Sequence, residues 1–178
     1  MMDIEFKKLK DAPGMELIDV KTTSAREHVG EIELAIRLIK ERARCIMKTL
    51  VIAGILNVHN QIVIHMIYFV TMTLNAVPDT LGVSEIYSPR DILTQRRHDM
   101  DKDRKVRLGT YTEASEDAQI KNTMKSRTEE CVSLCPSGNW QGSTMCFNLN
   151  NGVVVTQRTI IPLPMPDRIK KLVNRWGN

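Results

Sequence analysis

Apolar residues recur at Ile32, Ile36, Ile39, Ala43, Ile46 and Leu50, in steps of three and four, which predicts an amphipathic helix with one buried stripe. Ser24 followed by Glu27 fits a capping box for it, with Thr22 and Thr23 as alternative caps. Ahead of the helix, Asp3 to Phe6 reads as a short extended piece and Met15 to Val20, after Pro13-Gly14, as a strand. A second apolar run follows, from Thr49 through Val77, with no Asp, Glu, Lys or Arg. About 20 such residues suffice to span a bilayer. Asn57, His59, Asn60 and Gln61 interrupt the middle of the run, however, and His65 follows. Such side chains are costly at membrane depth, so the pattern predicts a buried helix over 61–75, ended before Pro78, and no membrane partner.

Beyond it, 78–89 is a turn-rich connector, and 90–107 is dense in charges of both signs, which predicts a solvated helix and linker. The texture then changes to short β-like runs: Val106 to Thr112, Glu130 to Leu134, Ser143 to Leu149, and Gly152 to Leu163. Pro136-Ser137-Gly138-Asn139 and Asn150-Asn151-Gly152 supply positive-φ residues for tight turns. A small antiparallel barrel is the expected product. Pro162, Pro164 and Pro166 end it, and Arg168 to Trp176 predicts a last helical turn or two in a basic tail. The fold class is therefore α+β.

Length changes this picture little: 178 residues make one ordinary domain or two small ones. Lys and Arg number 25 against 21 Asp and Glu, for a net charge of +4, which is compatible with a nucleic-acid partner without requiring one. The cysteines at 45, 131, 135 and 146 form no CxxC pair and are too sparse for a disulfide scaffold, which indicates a reducing compartment. The amino terminus carries acids at once and lacks the order of a secretory signal.

Candidate chemistry is thin. There is no GxSxG, P-loop, dinucleotide glycine pattern or HExxH. His59 and His65 read as core or polar-bridging residues. Cys131 and Cys135, four apart on a strand, are expected on one face, and with no histidine near them in sequence they make no zinc site. The feature that stands out is a column on the predicted helix in which Glu33 heads four cations, Arg37, Lys40, Arg44 and Lys48. It reads either as a row of phosphate contacts or as a set of helical ion-pair partners for Glu33 and Glu41.

The surrounding sequence bears on that choice. Asp3-Ile4-Glu5-Phe6, then Thr22 through Glu33, then Ile36-Arg37-Leu38-Ile39-Lys40-Glu41-Arg42-Ala43-Arg44 resemble the carboxy-terminal half of a copia-type retrotransposon integrase core. Tyr68-Phe69, Leu74-Asn75-Ala76-Val77-Pro78 and Tyr87-Ser88-Pro89-Arg90-Asp91-Ile92 resemble the stretch that follows that core in copia-type polyproteins. Leu108-Gly109-Thr110-Tyr111, Pro136 through Gly142 and Gly152 through Val155 resemble the SH3-like barrel that comes next. The matches run in the family's order over almost the whole chain.

The resemblance implies a truncated ribonuclease H-like core, mainly a helical remnant, over 1–78, a connector over 79–105, an SH3-like barrel over 106–166 and a basic tail over 167–178. It also implies carboxylates that hold Mg²⁺ or Mn²⁺ for in-line attack on a phosphodiester, chemistry suited to hard ions and oxygen ligands. Glu33 takes the place of the helical acid, with Glu31 as the competing choice, and Asp3 that of the second acid. Arg37, Lys40, Arg44 and Lys48 would lie along bound DNA, and the intact parent would act as a homo-oligomer. The family's first acid and its zinc module lie ahead of these motifs. Leu34 and Cys135 depart from the family pattern. A fragment or degenerate copy, inactive alone, is therefore expected. The alternative from another class is a non-enzymatic module whose barrel and basic segments bind nucleic acid. At 4% aromatic residues, it would rely on phosphate contacts rather than base stacking.

Overall fold

The computed structural model describes residues 30–78, 82–97, 99–103, 105–115, 127–139 and 141–178. The expected extended piece at 3–6, the strand at 15–20 and the Ser24 capping box lie outside the described residues. The chain divides into two compact units, Met1–Arg37 and Leu38–Asn178. The described part of the first is the opening of helix α1 (Gly30–Ile52), where Ile32 and Ile36 are exposed. The predicted stripe is thus buried only in the second unit, where packing begins at Ile39 and continues through Ala43, Ile46 and Leu50.

In the second unit α1 ends at Gly54, whose φ of 94° suits a residue without a Cβ. The Gly54 N–H donates to Val51 O at 2.9 Å and the Ile55 N–H to Leu50 O at 3.0 Å. These two bonds make a Schellman stop, and its hydrophobic clasp, Leu50 against Ile55, lies in the main core. Helix α2 (Asn60–Asn75) follows, one residue longer at its start than predicted. His59 caps it by accepting from the Gln61 N–H at 3.2 Å. Met66 and Val70 of α2 pack on Ala43 of α1. No described helix is long and apolar enough to cross a membrane.

Two short helices then cross the charged connector, α3 (Pro89–Thr94) and α4 (Met100–Asp103). Ser88 and Asp91 form a reciprocal capping box with Pro89 at the first helical position. Arg90 of α3 pairs with Asp103 of α4 at 3.0 Å.

Five strands follow: β1 (Tyr111–Ser115), β2 (Thr128–Pro136), β3 (Thr144–Asn148), β4 (Val154–Gln157) and β5 (Ile160–Pro162). They form one antiparallel sheet in the order β4-β3-β2-β1-β5. The sheet is open, where a barrel was expected. The run from Gly152 to Leu163 makes two strands rather than one, and these pair at opposite edges, β4 with β3 and β5 with β1. β1 begins later than the pattern suggested because Gly109, at φ 83°, turns the chain just ahead of it.

One sheet face carries Tyr111, Val132, Leu134 and Phe147, which join Leu50, Ile55 and Ile62 from the helical layer in the main core. Helix α5 (Asp167–Trp176) completes that core with Ile169 and Val173, both fully buried, so the basic tail is a docked helix of ten residues. Asn174 ties it down by accepting from the Leu56 and Asn57 N–H groups at 2.7 and 2.9 Å and donating to Gly54 O at 3.0 Å. The Trp176 indole donates to Leu149 O at 3.0 Å and lies over Gly152, where an added Cβ would stand 2.8 Å from the ring. The other sheet face gathers Ala114, Cys131 and Cys146, with Val155 of β4 and Ile160 of β5 packed on them. Val155 stands opposite Cys146 and Ile160 opposite Ala114 in the ladder, so this cluster runs along one face across all five strands.

Arg168 of α5 forks onto Glu130 of β2, its Nη1 donating to Oε2 at 3.2 Å and its Nη2 to Oε1, while the Tyr111 hydroxyl also donates to Oε1 at 3.0 Å. The Arg168 guanidinium, more than any other neighbour, holds the Glu130 carboxyl below its ordinary value of 4.5. A depressed carboxylate stabilises the fold at pH above its ordinary value and loses that contribution as pH falls through its lowered one. Glu130→Gln is expected to leave the urea midpoint lowered by a constant amount from pH 5 to 8 (about those limits, given ordinary carboxylate values). Below pH 4.5 the gap between wild type and variant narrows. A gap that stays constant into acid would contradict the pairing.

Candidate nucleic-acid interface

The sequence places one acid and four cations along α1. Glu33 and Arg37 are exposed on the described opening of that helix, in the first unit. Lys40, Arg44 and Lys48 follow in the second unit, all exposed. These three stand at intervals of four, so each lies one turn above the last on a single helix face, while Ala43, Met47 and Leu50 turn inward. Among the described residues none of the three cations is in an ion pair. Glu41, exposed on the same helix, pairs with none of them. The reading of this column as internal helical partners is therefore not realised at Lys40, Arg44 and Lys48. What remains is a row of three ammonium and guanidinium groups facing water, spaced about 6 Å apart by the helical rise, close to the interval of phosphates along one DNA strand.

Helix α5 carries further charge. Arg168 is held by Glu130 and Lys170 by Asp167, the latter at 2.9 Å. Lys171 and Arg175, four apart, are exposed and carry no ion pair among the described residues.

The acids do not converge in what is described. Asp3 and the Glu31 side chain lie outside the described residues, and no group of three His, Cys, Asp or Glu able to hold a metal ion occurs among the described ones. Glu33 alone among the expected ligands has a described side chain, and it is exposed.

His59 takes a bridging place, as expected, while the cysteines are arranged differently from the expectation. His59 packs its ring 5.0 Å from Phe147 and 6.4 Å from Trp176, and so bridges the α2 cap to the core. Cys131 and Cys135 do not share a face. A bulge in β2 puts Ser133 opposite Cys146 but Pro136 opposite Thr144, so Leu134 and Cys135 together face Met145. Cys131 stays in the small cluster on the far face. Cys135 instead lies with its Sγ 3.5 Å from His65 Nδ1 of α2 and 3.9 Å from Met145 Sδ. At 2% exposure, and with burial pushing its thiol up to about 11, Cys135 is a protonated, shielded sulfur rather than a nucleophile. Burial also lowers the His65 pKa from its ordinary 6.5, disfavouring the charged imidazole. No local sequence signal marked this meeting, because His65 is 70 residues from Cys135 and the bulge is invisible in the residue pattern.

Comparison with family models, curated proteins and solved structures finds no match to this chain.

Proposed function

We propose that this chain is a part or a degenerate copy of a copia-type retrotransposon integrase, and that it acts as a nucleic-acid-binding module without strand-transfer chemistry of its own. The observation that carries the binding is the row of Lys40, Arg44 and Lys48, exposed on one face of α1 and outside any described ion pair. Three cations at helical intervals suit the phosphate backbone of DNA, the partner this reading requires, and bring affinity without base readout. Arg37 precedes them in the same column of the sequence.

Support for the SH3-like part comes from the strand order. β1 to β4 form a meander, β5 returns to the free edge of β1, and one face carries a small apolar row with a residue from each strand. Support for the integrase descent comes from the ordered motifs, in which the Tyr87 to Ile92 piece coincides with the capped start of α3. Mg²⁺ or Mn²⁺ belongs to the parent's chemistry. No step is assigned through it.

The test is binding of the full chain to two labelled duplexes of unrelated sequence, read by fluorescence anisotropy, together with strand-transfer assays in Mg²⁺ and Mn²⁺. The expected result is equal affinity for both duplexes, retained in Glu33→Gln, and no joined product. A preference for one duplex of about tenfold or more, worth about 1.4 kcal/mol, would contradict backbone binding. Joining that depends on Glu33 would overturn the non-catalytic reading.

A further inference from the structure

The bulge in β2 turns Cys135 toward the helical layer and sets three soft or borderline donors together: the Cys135 thiol, the His65 imidazole and the Met145 thioether. We propose that His65, Cys135 and Met145 form a binding site for a single monovalent copper ion, Cu(I).

A first-row ion bound in a trigonal plane, about 2.3 Å from sulfur and about 2.0 Å from nitrogen, holds its two sulfurs about 4.0 Å apart and each sulfur about 3.7 Å from the nitrogen. Cys135 Sγ is 3.9 Å from Met145 Sδ and 3.5 Å from His65 Nδ1. Both distances from Cys135 match those separations to within a few tenths of an ångström. The donors come from separate elements, α2, β2 and β3, which the core holds in place. His65 and Met145 are half-buried, which leaves a path inward, while Cys135 is sealed from oxidants.

The donor set selects the ion. A thioether is a poor ligand for zinc and for hard cations, whereas thiolate, thioether and imidazole together suit Cu(I). Zinc would also seek a fourth protein ligand in a structural site, and no third His, Cys, Asp or Glu joins the pair among the described residues. On binding, the Cys135 S–H bond breaks, its proton leaves to solvent, and a Cu–S bond forms. Copper stays monovalent throughout, so no oxidant or reductant takes part.

The test uses the full, reduced chain without oxygen, titrated with Cu(I) in the presence of a coloured Cu(I) chelator as competitor. The expected result is one equivalent of copper withdrawn from the chelator, with X-ray absorption reporting two sulfurs and one nitrogen around the metal. Loss of outer partners alone typically weakens metal sites about 10–100-fold. Cys135→Ser and His65→Gln are therefore each expected to weaken retention by about 100-fold or more. Met145→Leu, a volume-conserving change that leaves the core filled, keeps the fold and still weakens copper binding by about tenfold or more. Cys45→Ser, which removes the exposed thiol, leaves retention unchanged. Copper retained equally by wild type and Met145→Leu, copper lost in Cys45→Ser, Zn²⁺ held as tightly as Cu(I), or no withdrawal from the chelator would each overturn the site.

Discussion

Phe147→Ala is expected to lower the free energy of unfolding by about 3–5 kcal/mol, the range for removing a buried aromatic ring. Phe147 is fully buried on β3. Its ring meets His59 at 5.0 Å and the edge of Trp176 at 6.1 Å, so it joins the α2 cap, the sheet and α5 in one contact set. The loss exceeds the transfer energy of the ring because the surrounding groups come from three elements and cannot collapse together into the cavity. Against the about 5–15 kcal/mol that holds a typical domain, such a loss leaves a marginal fold. Urea unfolding followed by circular dichroism measures it. A decrease below about 1 kcal/mol would show that Phe147 does not anchor the core.

Val173→Asp has an effect of similar size by a different route. Val173 is fully buried on α5 against the main core, and an unpaired carboxylate there costs at least about 3 kcal/mol. The cheapest response is for α5 to leave the sheet. Departure would free the Asn174 bonds to Gly54, Leu56 and Asn57 and expose Trp176. The expected result is a red-shifted tryptophan emission and rapid proteolysis of the carboxy-terminal segment, with the whole domain destabilised. Lys171→Asp, at an exposed position one turn or less away, leaves both unchanged. Equal behaviour of the two variants would contradict the docking of α5.

These two sites also show where the sequence speaks and where it is silent. Asn57, His59, Asn60 and Gln61 on one side and Pro78 on the other bracket α2, so its extent is legible almost to the residue. The turns at Gly138 and Gly152, both at positive φ, place β2 and β3. Ile169, Leu172, Val173 and Trp176 carry a helical stripe that predicts docking, but the adjoining cations make the same segment read as a basic tail. Periodicity identifies the buried face of α1 without saying how far a partner covers it, and Ile32 and Ile36 are exposed on that face. β5 is three residues long, too short for an alternation signal, so its separation from β4 comes only from pairing. Cys135 is the clearest case. Its neighbours are set by one extra residue in β2, and strand alternation counted along the sequence assigns it to the wrong face.

The central claim is that α1 presents a phosphate-binding row. The most direct measurement is the dependence of duplex affinity on salt concentration, for wild type and for a chain with Lys40, Arg44 and Lys48 all changed to Gln. Each neutralised phosphate contributes about −0.9 to the slope of log affinity against log salt on duplex DNA. All three positions are exposed, so the substitutions leave the fold intact. The account predicts that the triple variant binds more weakly at low salt and that its slope is shallower than wild type by about 2.7. An unchanged slope, with affinity equal to wild type, would contradict it.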